Sequence, residues 1–348
     1  MSEMITKQLE TWFVQHQRDL PFRHDPTPYG IWVSEVMLQQ TQMETVLRYY
    51  ASFMKKFPSI QHLAKATQQD VLTEVQGLGY YRRFRMLHEG AVYLMNQHKG
   101  LFPTTYDEVM AIPGVGSYTA GAIMAIAYNQ PYAATDGNVL RVLSRYYGIN
   151  DDMRLPKSKK KIDLLHQKNV EHANPRLYIQ SVMELGALVC RPVNPNCDAC
   201  PLNKTCYANQ KQQTAQLPVL SKKSTAKSKE WITIVFRKGD EILLKKNTAN
   251  LLKGFYLLPQ WEQSMDEVEA WLEAQGLKPQ KLIKKANYKH MFTHQIWLMD
   301  VYQITVPPSI QLEGVWVKED ALSTIPIPEA HQKIIRDVFP RYRHLKAL

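Results

Sequence analysis

Apolar residues return every three to four positions through most of the N-terminal half of the chain, the period of helices buried along one face. Met4, Ile5, Leu9, Trp12 and Phe13 set that spacing at the start and predict an amphipathic helix. The proline-studded stretch LPFRHDPTPYG that follows reads as loop. In IWVSEVMLQQTQMETVLRYYASF the apolar pattern breaks at Gln39-Gln40-Thr41-Gln42. Thr41 and Glu44 form a T-x-x-E capping box there, so a new helix is expected to begin near Gln42. Gln39 and Gln40 then lie at a helix-to-helix junction, where carboxamides reach base edges or wedge into a stack; an ordinary polar turn is the alternative. Further helices are expected over 67–76, with Thr67 and Asp70 as a capping pair, over 81–97, and from the Thr105/Glu108 box to Ile112-Pro113.

The stretch 111–139, AIPGVGSYTAGAIMAIAYNQPYAATDGNV, reads as a helix end, a Pro-Gly-Val-Gly hairpin, a small-residue helix, a loop, and an aspartate opening another helix. Gly114 and Gly116 let the backbone turn and approach a partner closely. The N–H groups that open the following helix form a cradle for a phosphate, and a helix–hairpin–helix suits sequence-independent backbone binding. Asp136 fits the N-cap of the helix VLRVLSRYYG, and an N-cap aspartate can still turn its other oxygen towards a ligand. Glu35, with Ile31 four residues before it and Leu38 three after, is either a surface residue at the edge of an apolar stripe or a buried acid of raised pKa, as a general acid requires. The segment GLGYYRRFR joins a sharp turn, two stacking surfaces and the charges of Arg82, Arg83 and Arg85; a helix C-cap with a cationic helix behind it is the alternative, and the net charge favours binding.

Residues 211–229 are rich in Lys, Gln, Ser and Thr and read as a basic linker. Beyond it the pattern changes. WITIVFRKGDEILLKKN predicts two strands joined around Gly239-Asp240, GFYLLPQW is extended, and a Ser264/Glu267 box opens a helix to Ala274 that Gly276 stops. Strands are expected again at 281–286, 294–306 and 315–317, with a final helix over about 329–339, which makes this a second, α+β domain.

A chain of 348 residues suits two domains, each with its own core, and 45% hydrophobic with 22% charged residues is a globular composition. The formal charge of +11 favours a polyanionic partner. No apolar run approaches a membrane span and the N-terminus lacks a signal-peptide pattern, so a cytoplasmic protein without a membrane partner is expected.

Cys190, Cys197, Cys200 and Cys206 follow C-x6-C-x2-C-x5-C and are the only cysteines of the sequence. Such clustering does not suit a disulfide scaffold and points to one metal centre. Zinc and iron–sulfur both accept four thiolates, and the asymmetric spacing, unlike paired C-x2-C zinc motifs, favours the cluster. With no ligand missing, the centre reads as structural, shaping the loop 191–196.

Together WVSEVMLQQTQ, GLGYY, IPGVGSYTAG, TDGNV and the cysteine pattern make roughly the first 210 residues resemble the helix-hairpin-helix DNA glycosylase superfamily, and within it the MutY-type adenine DNA glycosylases. The C-terminal part resembles that branch's Nudix-like module, which reads 8-oxo-guanine opposite the target adenine. Its HMFTHQIW segment is similar to the family's Phe-Ser-His recognition loop, with Thr293 in place of the serine. The resemblance implies a mainly α helix-hairpin-helix glycosylase domain with a four-cysteine cluster loop over 1–210, the linker over 211–229, and an α+β Nudix-like domain over 230–348.

It also implies a function. The partner would be double-stranded DNA carrying A:8-oxo-guanine mispairs, bound by a monomer holding a [4Fe-4S] cluster on the four cysteines. Glu35 would protonate the flipped adenine, Asp136 would stabilise the sugar cation, and Asn138 would assist beside it. Tyr118 stands where relatives resembling endonuclease III carry a Schiff-base lysine. A tyrosine cannot form that imine, so base removal without strand cleavage is expected. Gln40 and Tyr80 would wedge and support the stack beside Gln39, while Gly114 and Gly116 hold the backbone. Arg18, Phe22, Arg23, Leu38 and Glu184 would line the adenine pocket, and Phe292, Thr293 and His294 would face the oxidised guanine. SMDEVEAWLEAQG lacks the Arg-Glu-x-x-x-Glu-Glu array of a Nudix metal helix, so no nucleotide hydrolysis is expected.

Overall fold

Helix caps written into the sequence set many of the element boundaries in the computed structural model, which describes residues 2–222, 227–262, 264–292 and 294–339. Helix α1 (Ser2–His16) buries Ile5, Leu9, Trp12 and Phe13, while Met4 of the expected stripe stays exposed. The proline-studded stretch is not all loop. Pro21 opens the single turn α2 (Pro21–His24), and the Thr27 hydroxyl accepts a hydrogen bond from Gly30 N (3.1 Å) to cap α3 (Pro28–Leu38). A proline in a first turn loses only an N–H that would have no helical partner there, so it starts these helices rather than breaking them.

Helix α3 is buried on every side from Tyr29 to Met37, which makes Glu35 a buried acid rather than the edge of a stripe. The expected Thr41/Glu44 box does not form. Gln40 turns the chain with a φ of 58°, Thr41 N still closes the end of α3 by donating to Leu38 O (3.3 Å), and Gln42 takes the N-cap position of α4 (Met43–Lys56) without a side-chain bond. Next come α5 (Ile60–Lys65) and α6 (Gln68–Glu74), the second with both bonds of its Thr67/Asp70 box. Helix α7 (Arg82–His98) precedes α8 (Tyr106–Met110), and the hairpin follows before α9 (Ser117–Ala122).

Helix α9 runs on into a π-helical turn, Ile123–Ala127, whose last carbonyls are held by Arg176: Nε donates to Ile126 O (2.6 Å) and Nη2 to Ala127 O (2.9 Å). A loop then leads to α10 (Gly137–Tyr147), followed by α11 (Pro156–Val170), α12 (Pro175–Leu188) and α13 (Tyr207–Gln210). Gly121 allows the loop to lie against α9, because a Cβ there would stand 1.9 Å from Ala133 O.

Contacts group the chain into two units, Met1–Ala66 with Met86–Lys223, and Thr67–Arg85 with Ser224–Leu348. The short segment Thr67–Arg85 thus joins the C-terminal residues, which a division of the chain at residue 210 does not anticipate. Within that unit Tyr81 packs on Phe255 with ring centroids 4.1 Å apart, and Arg85 Nη1 donates to Lys253 O (2.6 Å).

The second unit carries β1 (Lys227–Lys238), β2 (Glu241–Lys246), β3 (Tyr256–Leu257), β4 (Gln260–Glu262), β5 (Ile283–Met291), β6 (Gln295–Thr305) and β7 (Val315–Lys318). The order is β3-β2-β1-β6-β5, with β4 paired to β1 and β7 to β2; β1 and β6 are parallel, from Lys227 opposite Gln295 to Arg237 opposite Thr305. Helix α14 (Met265–Ala274), capped by Ser264, lays Val268 and Leu272 on Ile234, Phe236, Leu243 and Ile304. Helix α15 (Glu329–Val338) buries His331, Ile334 and Ile335. Strand β5 extends well past the expected end at 286. It is an edge strand with exposed Lys284, Lys285 and Lys289, and a lysine-rich edge hides the apolar alternation that marks a strand in sequence. Among the described residues no helix is long and apolar enough to cross a membrane.

Gly121→Ala should therefore lower the unfolding free energy by about 2–3 kcal/mol, as overpacking against backbone does. Gly116→Ala, where a Cβ meets none of the described residues within 4 Å, should cost less than about 1 kcal/mol. Urea melts of the two variants check the ordering; equal losses would contradict it.

Candidate active site

Three helices bring one cluster together. Glu35 comes from the buried middle of α3, Tyr118 from the first turn of α9, and Asp136 and Asn138 from the start of α10. The Tyr118 hydroxyl donates to Glu35 Oε2 at 2.5 Å. Burial pushes the Glu35 carboxyl up to about 7, against the Tyr118 hydrogen bond; the Asp136 charge adds to the rise and Arg23 opposes it. Burial likewise drives the Tyr118 phenol well above its ordinary value, with Glu35 and Asp136 adding to the effect, so it stays a hydrogen-bond donor.

Asp136 is the N-cap of α10: Oδ1 accepts from Val139 N (2.7 Å) and Oδ2 from Asn138 Nδ2 (2.8 Å). Burial raises its carboxyl above the usual aspartate range, with those hydrogen bonds acting in the opposite direction. Asn138 is itself oriented, because its Oδ1 accepts from Arg141 Nη2 (2.8 Å). Arg141 also donates from Nη2 to Gly186 O and from Nε to Cys190 O, both at 2.8 Å. Gly186 permits this approach, since a Cβ there would lie 2.6 Å from Asn138 Cβ.

A second constellation gathers around Glu184, which is 1% exposed. Arg18 donates to it from N (2.9 Å), Nε (3.0 Å) and Nη2 (2.8 Å), and Arg23 from Nη1 (3.1 Å) and Nη2 (2.9 Å). Burial works to raise this carboxyl, but the Arg18 and Arg23 bonds outweigh it and hold Glu184 down to about 2. Arg23 reaches further, to Gln180 Oε1 (3.1 Å) and over the Phe13 ring (5.1 Å). Phe22 is buried edge-on against Tyr50 (5.4 Å), and Leu38 is half-buried at the last position of α3.

Gln39 and Gln40 do sit at the junction of α3 and α4, with Gln40 exposed. In the hairpin, Gly114 has a φ of 82° and a Cβ there would meet Met86 Cβ at 2.5 Å, so this position demands glycine; Gly116 is the N-cap of α9. In the other unit, Tyr80 has a φ of 48° and is 46% exposed. A long side chain held at positive φ, as at Gln40 and Tyr80, stores backbone strain. Also in that unit, Phe292 N donates to Gln295 O (2.8 Å), and its ring packs edge-on against Trp297 (4.9 Å) and His290 (4.6 Å). His294 is exposed, and Thr293 lies outside the described residues.

The four cysteines carry no disulfide and line one cavity, together with Arg145, Val189 and Asn203. Burial raises Cys197, Cys206 and Cys200, the last to about 12, and the neighbouring thiols add to the rise. Arg145 Nη1 donates to Cys190 Sγ (3.4 Å) and Arg191 O (2.7 Å), and Nη2 to Pro192 O (3.0 Å), which pins the loop between the first two cysteines. This donor set fits a thiolate-bound centre: four soft ligands face one space, and a cationic centre there would draw off the protons that burial retains. Among the described residues no three His, Cys, Asp or Glu side chains are grouped tightly enough for a single metal ion.

Arg141, Arg145, Gln180 and Trp297 escaped the reading of the sequence. A signal existed for two of them, since Asn138, Arg141 and Arg145 recur at i, i+3 and i+7 on one face of α10.

Residues 33–172 match the HhH-GPD superfamily of base excision DNA repair proteins, and residues 232–337 match the NUDIX domain. The adenine DNA glycosylase of Buchnera aphidicola subsp. Baizongia pistaciae (strain Bp) is 32% identical over 334 residues, covering 92% of this chain and 93% of that one. The adenine DNA glycosylase of Homo sapiens is 43% identical over 218 residues, 60% of this chain and 40% of that one. Among solved structures, a thermostable thymine-DNA glycosylase is similar with a TM-score of 0.56 and 27% identity, over 60% of this chain and 97% of that one. Endonuclease III trapped as a covalent intermediate on DNA is similar with a TM-score of 0.52 and 21% identity, over 61% of this chain and 98% of that one, a likeness of fold alone. With a relative of this identity aligned along nearly its whole length, the chain belongs to the adenine DNA glycosylase family.

Proposed function

We propose that the protein removes adenine mispaired with 8-oxo-guanine or guanine in duplex DNA, hydrolysing the N-glycosidic bond and leaving an abasic site. The observation that carries this reading is the buried Glu35, pushed up to about 7 and bonded to Tyr118, beside the second carboxylate of Asp136. Adenine inside a duplex is out of reach and must be flipped out, which costs least at a mispair. It leaves only once protonated, and a carboxyl with a pKa near 7 still holds its proton for that step. Departure of the base creates an oxocarbenium-like sugar. A carboxylate about 4 Å away, at an effective dielectric of about 20, stabilises it by about 4 kcal/mol, roughly a thousandfold in rate.

In this reading Glu35 is the acid and Asp136 the stabilising carboxylate, with Asn138 holding its Oδ2. Tyr118 keeps Glu35 in place and, lacking an amine, forms no imine with the sugar, so the strand stays intact. Arg18, Arg23 and Glu184 form a rigid charged wall of the adenine pocket, and Phe22 and Leu38 complete it. Gln39, Gln40 and Tyr80 wedge and support the stack, and the Gly114–Gly116 hairpin holds a phosphate. Residues 1–210 carry excision, 211–229 link, and 230–348 read 8-oxo-guanine through Phe292, Thr293 and His294. Cys190, Cys197, Cys200 and Cys206 would hold a [4Fe-4S] cluster, whose contribution when bound is to cross-link the loop structurally.

Purified protein should release adenine from an A:8-oxo-guanine duplex and break the strand only after alkali; a nicked product without alkali, trappable by borohydride, would contradict base removal without strand cleavage. The single-turnover rate should fall by about 100-fold between pH 6 and pH 9 as Glu35 loses its proton, and Glu35→Gln should lower the rate at pH 6 by at least about 100-fold. Full activity of Glu35→Gln would remove Glu35 from the mechanism. Elemental and sulfide analysis should find about four irons and four sulfides per chain; a colourless preparation loaded with zinc would overturn the cluster assignment.

A further inference from the structure

The loop that delivers Asp136 is fastened by one turn of α11. Ala133 N donates to Gln167 Oε1 (2.9 Å), and Gln167 Nε2 donates to Pro131 O (2.7 Å). Thr135 Oγ1 and His166 Nδ1 share a hydrogen bond of 3.1 Å. On the other side Gly121 lets Ala133 O press against α9. Pro131, Ala133 and Thr135 are therefore each tied, and Thr135 is the residue immediately before Asp136. Both oxygens of Asp136 are bonded within its own helix turn, to Val139 N and Asn138 Nδ2. The carboxylate accordingly moves with the start of α10, and the direction in which the chain enters α10 sets its distance from Glu35.

His166 is an unusual residue to find here. It is fully buried, its ring meets Tyr178 at 5.5 Å, and its Nε2 has no partner among the described residues. Burial keeps the imidazole neutral, with its pKa pushed down to about 3. A neutral imidazole has one N–H and one bare nitrogen, so one of the two stays unpaired whichever tautomer is present, at a cost in stability. An apolar side chain would avoid that cost. What the imidazole adds is the bond to Thr135.

We propose that His166 is a positioning residue for adenine excision: through the Thr135 hydroxyl it fixes the entry into α10 and thereby holds the Asp136 carboxylate at its working distance from Glu35 and the target sugar. This rests on the proposed roles of Glu35 and Asp136, and His166 itself touches no substrate.

Thr135→Val keeps the side-chain shape and deletes the hydroxyl, whereas Thr135→Ser keeps the hydroxyl. His166→Leu deletes the partner. Single-turnover excision of adenine from an A:8-oxo-guanine duplex, the Kd for that duplex, and the pH–rate profile are measured on each. Thr135→Val and His166→Leu should each slow excision by about 10-fold or more with Kd within about 2-fold of wild type, and the double variant should be no slower than either single one. Their alkaline midpoint should fall below that of wild type, because a displaced Asp136 adds less charge beside Glu35, and Thr135→Ser should restore rate and midpoint. A Thr135→Val protein with the wild-type rate and midpoint overturns the role of His166, as does a Thr135→Ser protein equally impaired. If His166→Leu fails to fold, the Thr135 pair decides. Wild-type protein that releases no adenine overturns the proposed function itself, whereas an active wild type with an unaffected Thr135→Val overturns only this positioning.

Discussion

Two carboxyl groups share a desolvated space at the meeting of α3, α9 and α10, and much of the N-terminal unit serves to keep them there. Burial alone would make either one costly to ionise. The hydrogen bonds divide them: Asp136 receives the Val139 N–H and the Asn138 amide, while Glu35 receives, among the described residues, only the Tyr118 hydroxyl. The carboxyl with more hydrogen bonds keeps its charge more readily, and that charge adds to the rise at Glu35. Two buried carboxyls with unequal hydrogen bonding are an arrangement suited to one acid and one stabilising anion.

The surroundings hold this pair by bonds to backbone rather than by side-chain packing alone. Arg141 ties Asn138 to Gly186 O and Cys190 O, and Arg145 ties the first cysteine's thiol and the loop behind it. Arg176 closes the π-helical turn that α9 runs into, and Gln167 and His166 hold the loop beyond it. Each contact alone is modest, but a charge-assisted bond to a buried carbonyl is among the stronger ones available to a fold. The Glu184 pair with Arg18 and Arg23 follows the same logic, as a buried anion that two guanidinium groups keep ionised.

Much of this was legible in the residues themselves. Thr67 with Asp70, Ser264 before Glu267 and Asp136 before Val139 all cap helices where their spacing places them, because a cap is a local bond between residues three apart. The Gly239 turn between β1 and β2 is local in the same sense. The failures have separate causes. Pro21 and Pro28 start helices because a first turn needs no N–H from them, Thr41 loses its box because α3 is still closing, and β5 outruns its pattern because an edge strand needs no apolar face. Burial of Glu35 on all sides, the union of Arg18, Arg23 and Glu184, and the bridge through Arg141 depend on residues far apart in sequence, and only the fold brings them together.

The protonation state of Glu35 near neutral pH is where the chemistry stands or falls. Infrared difference spectroscopy of wild type minus Glu35→Gln, with glutamate carboxyls isotope-labelled, reads it directly. A protonated-carboxyl band present at pH 6 that gives way to carboxylate with a midpoint near pH 7 is the expected result. A Glu35 that is fully ionised at pH 6, with no such band, would contradict its place as the acid.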